Sequence, residues 1–444
     1  MKRFVRSLLV SSALTVLTFT PVHAEIDVPA LKAAIEKSFE ADYPKLDALY
    51  KDLHAHPELA FQEVKTAARL AAEMRALGFE VTEKVGRTGL VAIYNNGDGP
   101  TIMVRTELDA LPMEEKTGLD YASKAKAVSF GKETFVAHSC GHDIHMANWV
   151  GTAKMLVGLK DQWKGTLMFI AQPAEEIVQG ARAMLEDGLF TRFKKPDFAF
   201  ALHAGGGPYG NVTYRVGVGS SNVDGLFIRF RGRGGHGAMP QFTIDPVMIA
   251  ARFIVDVQTV VSREKDPTEF AVVTIGAIQS GTVGNIIPDE ATLQGTIRTF
   301  KPAVRAKLVA GIERVARAAA AMSDAPAPDI RIAEGTKAVI NDPAVVATAE
   351  KALKAAFGDK LRLTPANTTS EDFSEFAGAG VPSMMFNIGV YGPEQWLAAS
   401  KSGTPLPGNH SPLFAPVPKP TIETGVTAMT LAVLGVFEQK ARRK

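Results

Sequence analysis

Residues 165–176 read GTLMFIAQPAEE. An apolar run from Leu167 to Ala171 stops at Gln172-Pro173 and delivers two adjacent carboxylates, Glu175 and Glu176. A short run that is apolar throughout, bounded by Gly and Pro, reads as a strand buried on both faces. The same form recurs in TIMVRTELDA (101–110), which carries Glu107 and Asp109, and in DFAFALHA (197–204), with His203 near its end. MANWVGTAKMLVGL (146–159) has helical spacing and separates the first two runs. Alternating strands and helices predict an α/β domain, mostly parallel in its sheet, with helices on both faces. Ligand sites in such sheets lie outside the carboxyl ends of the strands. Upstream, GLVAIYNN (89–96) reads as a further strand and 29–85 as helical.

The pattern changes after residue 216. NVDGLFIRFRG (222–232) is a partly alternating strand. DPVMIAARFIVDVQTVVSRE (245–264) is a helix with Asp245 as N-cap and Pro246 at its first position. Two strands, FAVVTIGAIQS and ATLQGTIRTF, precede an amphipathic helix over 301–323 and a strand over 329–335. The order βαββαβ predicts a ferredoxin-like unit. Candidate site residues occur before it and again up to His410, so it reads as an insertion at 217–335 between halves at 25–216 and 336–444.

The amino terminus, MKRFVRSLLVSSALTVLTFTPVHA, places Lys2, Arg3 and Arg6 before an apolar run and a Val-His-Ala ending. This reads as a signal peptide over 1–24, with a mature chain from Glu25 in the periplasm or outside the cell. No later stretch reads as a membrane span. Removing the signal takes three of the 49 basic residues and leaves 46 against 47 acidic ones. A nearly neutral chain has no electrostatic footprint for nucleic acid or anionic lipid.

The chain has a single cysteine, Cys140, within HSCGHD (138–143). It cannot form an internal disulfide, so it is either buried and inert or bound to something that protects it. Cysteine, histidine and carboxylate are the ligands of zinc and similar divalent ions. Each candidate also has an ordinary alternative. His203 could be a hydrogen-bonded core histidine, and Glu175-Glu176 a solvated helix start.

Eight segments stand together in order: HAHPELAFQE (54–63), RTELDALPMEEKTG (105–118), HSCGHDIHMA (138–147), QPAEE with GARAMLEDG (172–188), GGHGAMP (234–240), NIIPDEATLQGTIRTF (285–300), EDFSEF (371–376) and NHSP (409–412). In these the chain resembles the dinuclear metal amidohydrolases and exopeptidases, the family of aminoacylases, hippurate hydrolases and auxin-conjugate hydrolases. It is most similar to the branch with a cysteine metal ligand. The resemblance implies hydrolysis of the amide of N-acyl-amino acids, related conjugates or short peptides, with two divalent ions, zinc or manganese, per chain. It implies Cys140, Glu176 and His410 on one ion, and Cys140, His142 and His203 on the other. Glu175 would be the general base and Asp109 would orient a ligand histidine. His236, in the inserted unit, would reach an active site across a dimer interface, and Asn285 and Arg298 would hold the substrate carboxylate. The inserted unit is then a lid and dimerisation domain of a homodimer. The chain departs from the branch at Glu107, where aspartate is usual, and at Gln241, where histidine is frequent.

Two other readings fit parts of the pattern. Cys140 could be a nucleophile with His138 or His142 as its base. Alternatively, a periplasmic metal- or peptide-binding protein could use the same scaffold without turnover.

Overall fold

The computed structural model describes residues 27–442, with side chains through Glu438. The signal segment read at 1–24 and the expected mature start at Glu25 lie outside the described residues. The larger of its sheets has eight strands, in spatial order Glu80–Val85, Gly89–Asn95, Thr166–Gln172, Thr101–Glu107, Phe198–Pro208, Ser383–Tyr391, Val212–Tyr214 and Leu361–Leu363. The four central strands are parallel to one another, and the strand next to them on each side, Gly89–Asn95 and Val212–Tyr214, runs antiparallel to them.

Their apolar runs follow from burial on both faces. Ile102 and Val104, Leu167 and Phe169, and Phe200 and Leu202 face one core. Met103, Met168 and Ile170, and Ala199 and Ala201 alternate with them and face another. Long helices fill the first core: Val28–Ala55, His142–Gly158, Pro343–Phe357 and Pro418–Arg442. Short helices at Gly180–Glu186, Leu189–Arg192 and Ser374–Gly378 fill the second. A site at the carboxyl edge is thus held between two packed layers.

Three sequence expectations are corrected. Residues 29–85 are not helical throughout. Helices cover Val28–Ala55 and Val64–Ala76, and Glu80–Val85 is an edge strand. Gly78, at φ +88°, takes the left-handed conformation that ends a helix, and the β-branched residues Val81, Thr82 and Val85 then favour extension. His203 is not at a strand end, because its strand runs on to Pro208. Finally, the segment Pro418–Glu438 is long and apolar enough to cross a membrane, contrary to the sequence reading, but it packs as a buried helix of the first core.

A second sheet is antiparallel, in the order Ala271–Gln279, Glu290–Thr299, Asp224–Arg231, Asp329–Glu334. Helices Pro246–Thr259 and Pro302–Ala321 cover one face, with Phe230, Phe253, Leu293 and Leu308 in a separate core. Asp245 caps the first helix by accepting from Val247 N at 2.8 Å.

His54 ends the first long helix and ties it to the start of the helix at His142. Its Nδ1 lies 2.6 Å from Asp143 and its Nε2 lies 3.0 Å from Glu115, both buried contacts. Burial alone lowers the His54 pKa, but the hydrogen bonds and charges of Asp143 and Glu115 outweigh it and raise the pKa to about 10. This stabilisation is complete below the ordinary histidine value of 6.5 and is lost as pH rises through about 10. We expect the thermal midpoint to fall between pH 7 and 10. In His54→Gln that slope should flatten, at a cost of about 3 kcal/mol near neutrality. An unchanged slope would show that the pair does not link folding to pH.

Candidate metal centre

The site is built on the loop that follows the strand Thr166–Gln172. Ala174 adopts a left-handed φ of +49°, turning the backbone so that successive N–H groups point inward. Ala174 N donates to Glu63 at 2.8 Å, Glu175 N to Asp109 Oδ1 at 3.1 Å, and Glu176 N to Asp109 Oδ2 at 2.9 Å. The two glutamates are therefore positioned by their own backbone, and their carboxylates remain available.

Asp109 also orients His142, through its backbone carbonyl, which accepts from His142 Nδ1 at 2.7 Å. The Asp109 carboxylate lies 3.6 Å from the same nitrogen. The orienting role expected of this side chain thus passes largely to its main chain, because the carboxylate holds the glutamate loop. A carbonyl can only accept, so Nδ1 carries a hydrogen and Nε2 is the nitrogen that faces Glu175 and Glu176, at 3.8 and 3.9 Å. Burial alone lowers the His142 pKa; the nearby Asp109 carboxylate and the charges of Glu107 and Glu176 raise it to about 10. The surroundings of this ring stabilise positive charge.

Gly141 precedes the helix His142–Gly158 at φ +89°, and a Cβ there would meet Phe414 at 3.3 Å. That turn sets Cys140 beside His203, Sγ to Nε2 3.5 Å. His203 Nδ1 donates to its neighbour's carbonyl, Ala204 O, at 2.8 Å. Burial, then His145, lowers the His203 pKa to about 4, so the ring is neutral as a metal ligand must be. His410 arrives from a distant loop with φ +66°, held by its N–H on Ser139 O at 2.7 Å. Its Nε2 lies 3.3 Å from Glu176 Oε2. Asn409 clamps that loop by donating to the carbonyls of Cys140 and Ala204.

Two sets of three donor atoms result, each within 4.8 Å of one another: Cys140, His142 and His203, and Cys140, Glu176 and His410. Cys140 belongs to both. His142 Nε2 and Glu176 Oε1 are buried without a hydrogen-bond partner, an arrangement that a cation satisfies and an apolar core does not. Thiol, imidazole and carboxylate suit a divalent ion of the zinc type. His145, although close, has both nitrogens engaged: Nδ1 with Glu107 at 2.9 Å and Nε2 with Ala204 N at 2.7 Å. It ties the first turn of the helix to the strands that carry Glu107 and His203 rather than offering a lone pair.

Not all candidates converge. Arg298 lines the same cavity of about 830 Å³ as Cys140, Glu175, Glu176, His203 and His410. His236 and Asn285 do not. They are exposed neighbours at a separate two-stranded ladder, Gly235–His236 with Ile286–Ile287, where Gly237 N donates to Asn285 O at 2.8 Å. Sequence reasoning missed Glu63, Asn409 and the buried guanidinium of Arg105, which pairs with Glu107, Glu371 and Asp372. Glu63 and Arg105 lie inside segments quoted above, but only their burial distinguishes them from surface charges.

The thiol-nucleophile arrangement with His138 as base does not form. Burial, then the charges of Glu176 and Glu175, pushes the Cys140 thiol pKa well up, the opposite of an activated nucleophile. His138 has both ring nitrogens buried and unpartnered, so it makes no hydrogen bond to Cys140.

If Asp109 holds both glutamates, Asp109→Ala should weaken metal retention roughly 10–100-fold, read as metal content after dialysis against graded chelator. Retention equal to the wild type would show that the loop holds itself.

Residues 103–402 match peptidase family M20/M25/M40. The chain is 35% identical over 366 residues to an N-acetylcysteine deacetylase of Bacillus subtilis, covering 80% of this chain and 91% of that protein. It is 36% identical over 323 residues to a hippurate hydrolase of Campylobacter jejuni, covering 71% and 80%. A solved dinuclear metal binding peptidase of the M20 family from Bacillus subtilis superposes with a TM-score of 0.72 at 30% identity, covering 90% of this chain and 99% of that one. With the fold and the donor cluster already in place, these matches establish that the chain belongs to peptidase family M20/M25/M40 and is a metal-dependent hydrolase of amide or peptide bonds.

Proposed function

We propose that the chain hydrolyses the amide bond of N-acyl-amino acids, related conjugates or short peptides, with Glu175 as general base. The observation that carries this is the division of labour between two adjacent carboxylates. Both carboxylates line the cavity and lie 3.8 and 3.9 Å from His142, but Glu176 also reaches His410 at 3.3 Å, whereas Glu175 makes no side-chain hydrogen bond among the described residues. Cys140, Glu176 and His410 would hold one divalent ion, and Cys140, His142 and His203 the other, zinc or manganese. When bound, the ions polarise a carbonyl and lower the pKa of water. Burial, then the charges of Glu371 and Glu176, raises the Glu175 pKa well up, which favours a group that accepts a proton and returns it. Glu175 takes a proton from the attacking water and delivers it to the leaving nitrogen as the C–N bond breaks. The products are a carboxylic acid and an amine. Arg298, whose Nη1 reaches Ser370 at 2.9 Å, keeps donors for the substrate carboxylate.

His236 and Asn285 enter this reading only from a second copy. A homodimer is supported by the exposed apolar side chains around them, Met239, Phe242 and Ile286. His236 would then stabilise the developing oxyanion and Asn285 the substrate carboxylate. A fully active monomer in sedimentation would remove both from the site. Export to the periplasm or beyond rests on the first 24 residues. Amino-terminal sequencing of periplasmic protein should begin at Glu25.

Chelation should abolish release of free amino acid from an N-acyl-amino acid panel, and zinc or manganese should restore it at two ions per chain. Activity that survives chelation and dies with a thiol alkylator would overturn the metal role. Glu175→Gln should lose roughly 10²–10⁴-fold in kcat while retaining both ions. Unchanged turnover would remove Glu175 as base, and a wild type that binds metal without turning over any amide would favour the binding protein.

A further inference from the structure

The cavity does not end at the donor cluster. It follows the sheet face outward from His203. In register, His203 pairs with Asn387 and Asn387 with Thr213, so Thr213 lies two strand spacings from His203, about 10 Å. Arg215 directly follows that strand, Val212–Tyr214, and lines the same cavity.

The wall changes chemistry along this path. Its acidic residues, Glu175, Glu176 and Glu371, all belong to the metal end, where the first and third fall in one group of close carboxylates. Its far part offers donors. Asn387 and Thr213 make no side-chain hydrogen bond among the described residues. Arg215 has a single bond, Nη1 to Thr364 O at 3.1 Å, and forms no ion pair among the described residues. Arg298 likewise has one bond, to Ser370, and no ion pair. The loop 364–370 is therefore gripped at its two ends by two guanidiniums, each with unused N–H groups beside the cavity. One guanidinium suffices for the single carboxylate of a simple N-acyl-amino acid.

We propose that Arg215, with Asn387 and Thr213, forms a subsite for a second anionic group of the substrate, a carboxylate separate from the one at Arg298. This deepens the function proposed above and rests on it. The preferred substrate is then dianionic, an amide whose acyl part or amino-acid side chain ends in a carboxylate. An arginine fork matches a carboxylate with two parallel hydrogen bonds, and a site built with such donors discriminates against a substrate lacking the acceptor.

The test uses zinc-loaded protein and three substrates: N-acetyl-alanine, N-acetyl-glutamate and N-succinyl-alanine. One dianionic substrate should exceed N-acetyl-alanine in kcat/KM by roughly tenfold or more, and which one tells which side of the amide carries the group. In Arg215→Ala that ratio should collapse toward one, through KM, and Arg215→Lys should restore part of it. Equal ratios in wild type and Arg215→Ala would overturn the subsite. So would an equal loss on all three substrates, which is what a mere anchor for the loop 364–370 produces. If no substrate is cleaved, the proposed function fails, and the subsite is decided by calorimetry with glutarate and butyrate. Tighter glutarate binding in the wild type, lost in Arg215→Ala, supports it, whereas equal binding of the two acids in the wild type overturns it.

Discussion

The carboxylate of Asp109 accepts the backbone N–H groups of Glu175 and Glu176, and its carbonyl accepts from His142. One residue at the end of one strand thus fixes the loop after the next strand and the first residue of a helix. The rest of the site depends on that constraint. Without it, the glutamate N–H groups would be buried unpaired or would draw in their own side chains, and neither carboxylate would be free for a cation or a proton. Glu63 repeats the device one residue earlier, accepting from Ala174, and burial, then Asp109, raises its pKa to about 7.

Around this loop the protein buries an unusual density of charge. Arg105 lies within reach of Glu107, Glu371 and Asp372, and Glu107 in turn engages His145. Buried charges at this density persist only when paired. The pairing gives Glu107 a definite role although it departs from the aspartate usual in the resembling branch: it anchors His145 and balances Arg105. Gln241, the other departure, sits in an exposed 3-10 turn, Pro240–Phe242, away from the donor cluster in this chain.

The division of the donors follows from chain topology. Cys140, Glu176 and His203 come from three consecutive crossings of the sheet, and His410 returns from a segment more than 200 residues later. A thiol shared by two donor sets explains why a chain with one cysteine places it between histidines. The shared position is also a protected one, because Sγ is buried and faces His203 rather than solvent.

The amino-acid sequence by itself determined the local chemistry and the alternation of elements. The apolar runs at 102–104, 167–171 and 198–202 suit a sheet covered on both sides, so the parallel centre and the edge bearing the carboxylates were legible. The order of elements between 222 and 335 was legible for the same reason, since periodicity is a local property. Residues 80–85 were misread because a helical prior was extended past Gly78, whose positive φ no composition reveals. The helix at 418 is ambiguous in sequence because a buried core helix and a membrane span share one composition. Only the tertiary structure decided which polar atoms are left without partners, which nitrogen His142 presents, and that Glu63, Arg105 and Asn409 belong to the site. Those facts arise where residues far apart in sequence meet in a medium without water, and burial there turns an ordinary charge into a fixed partner.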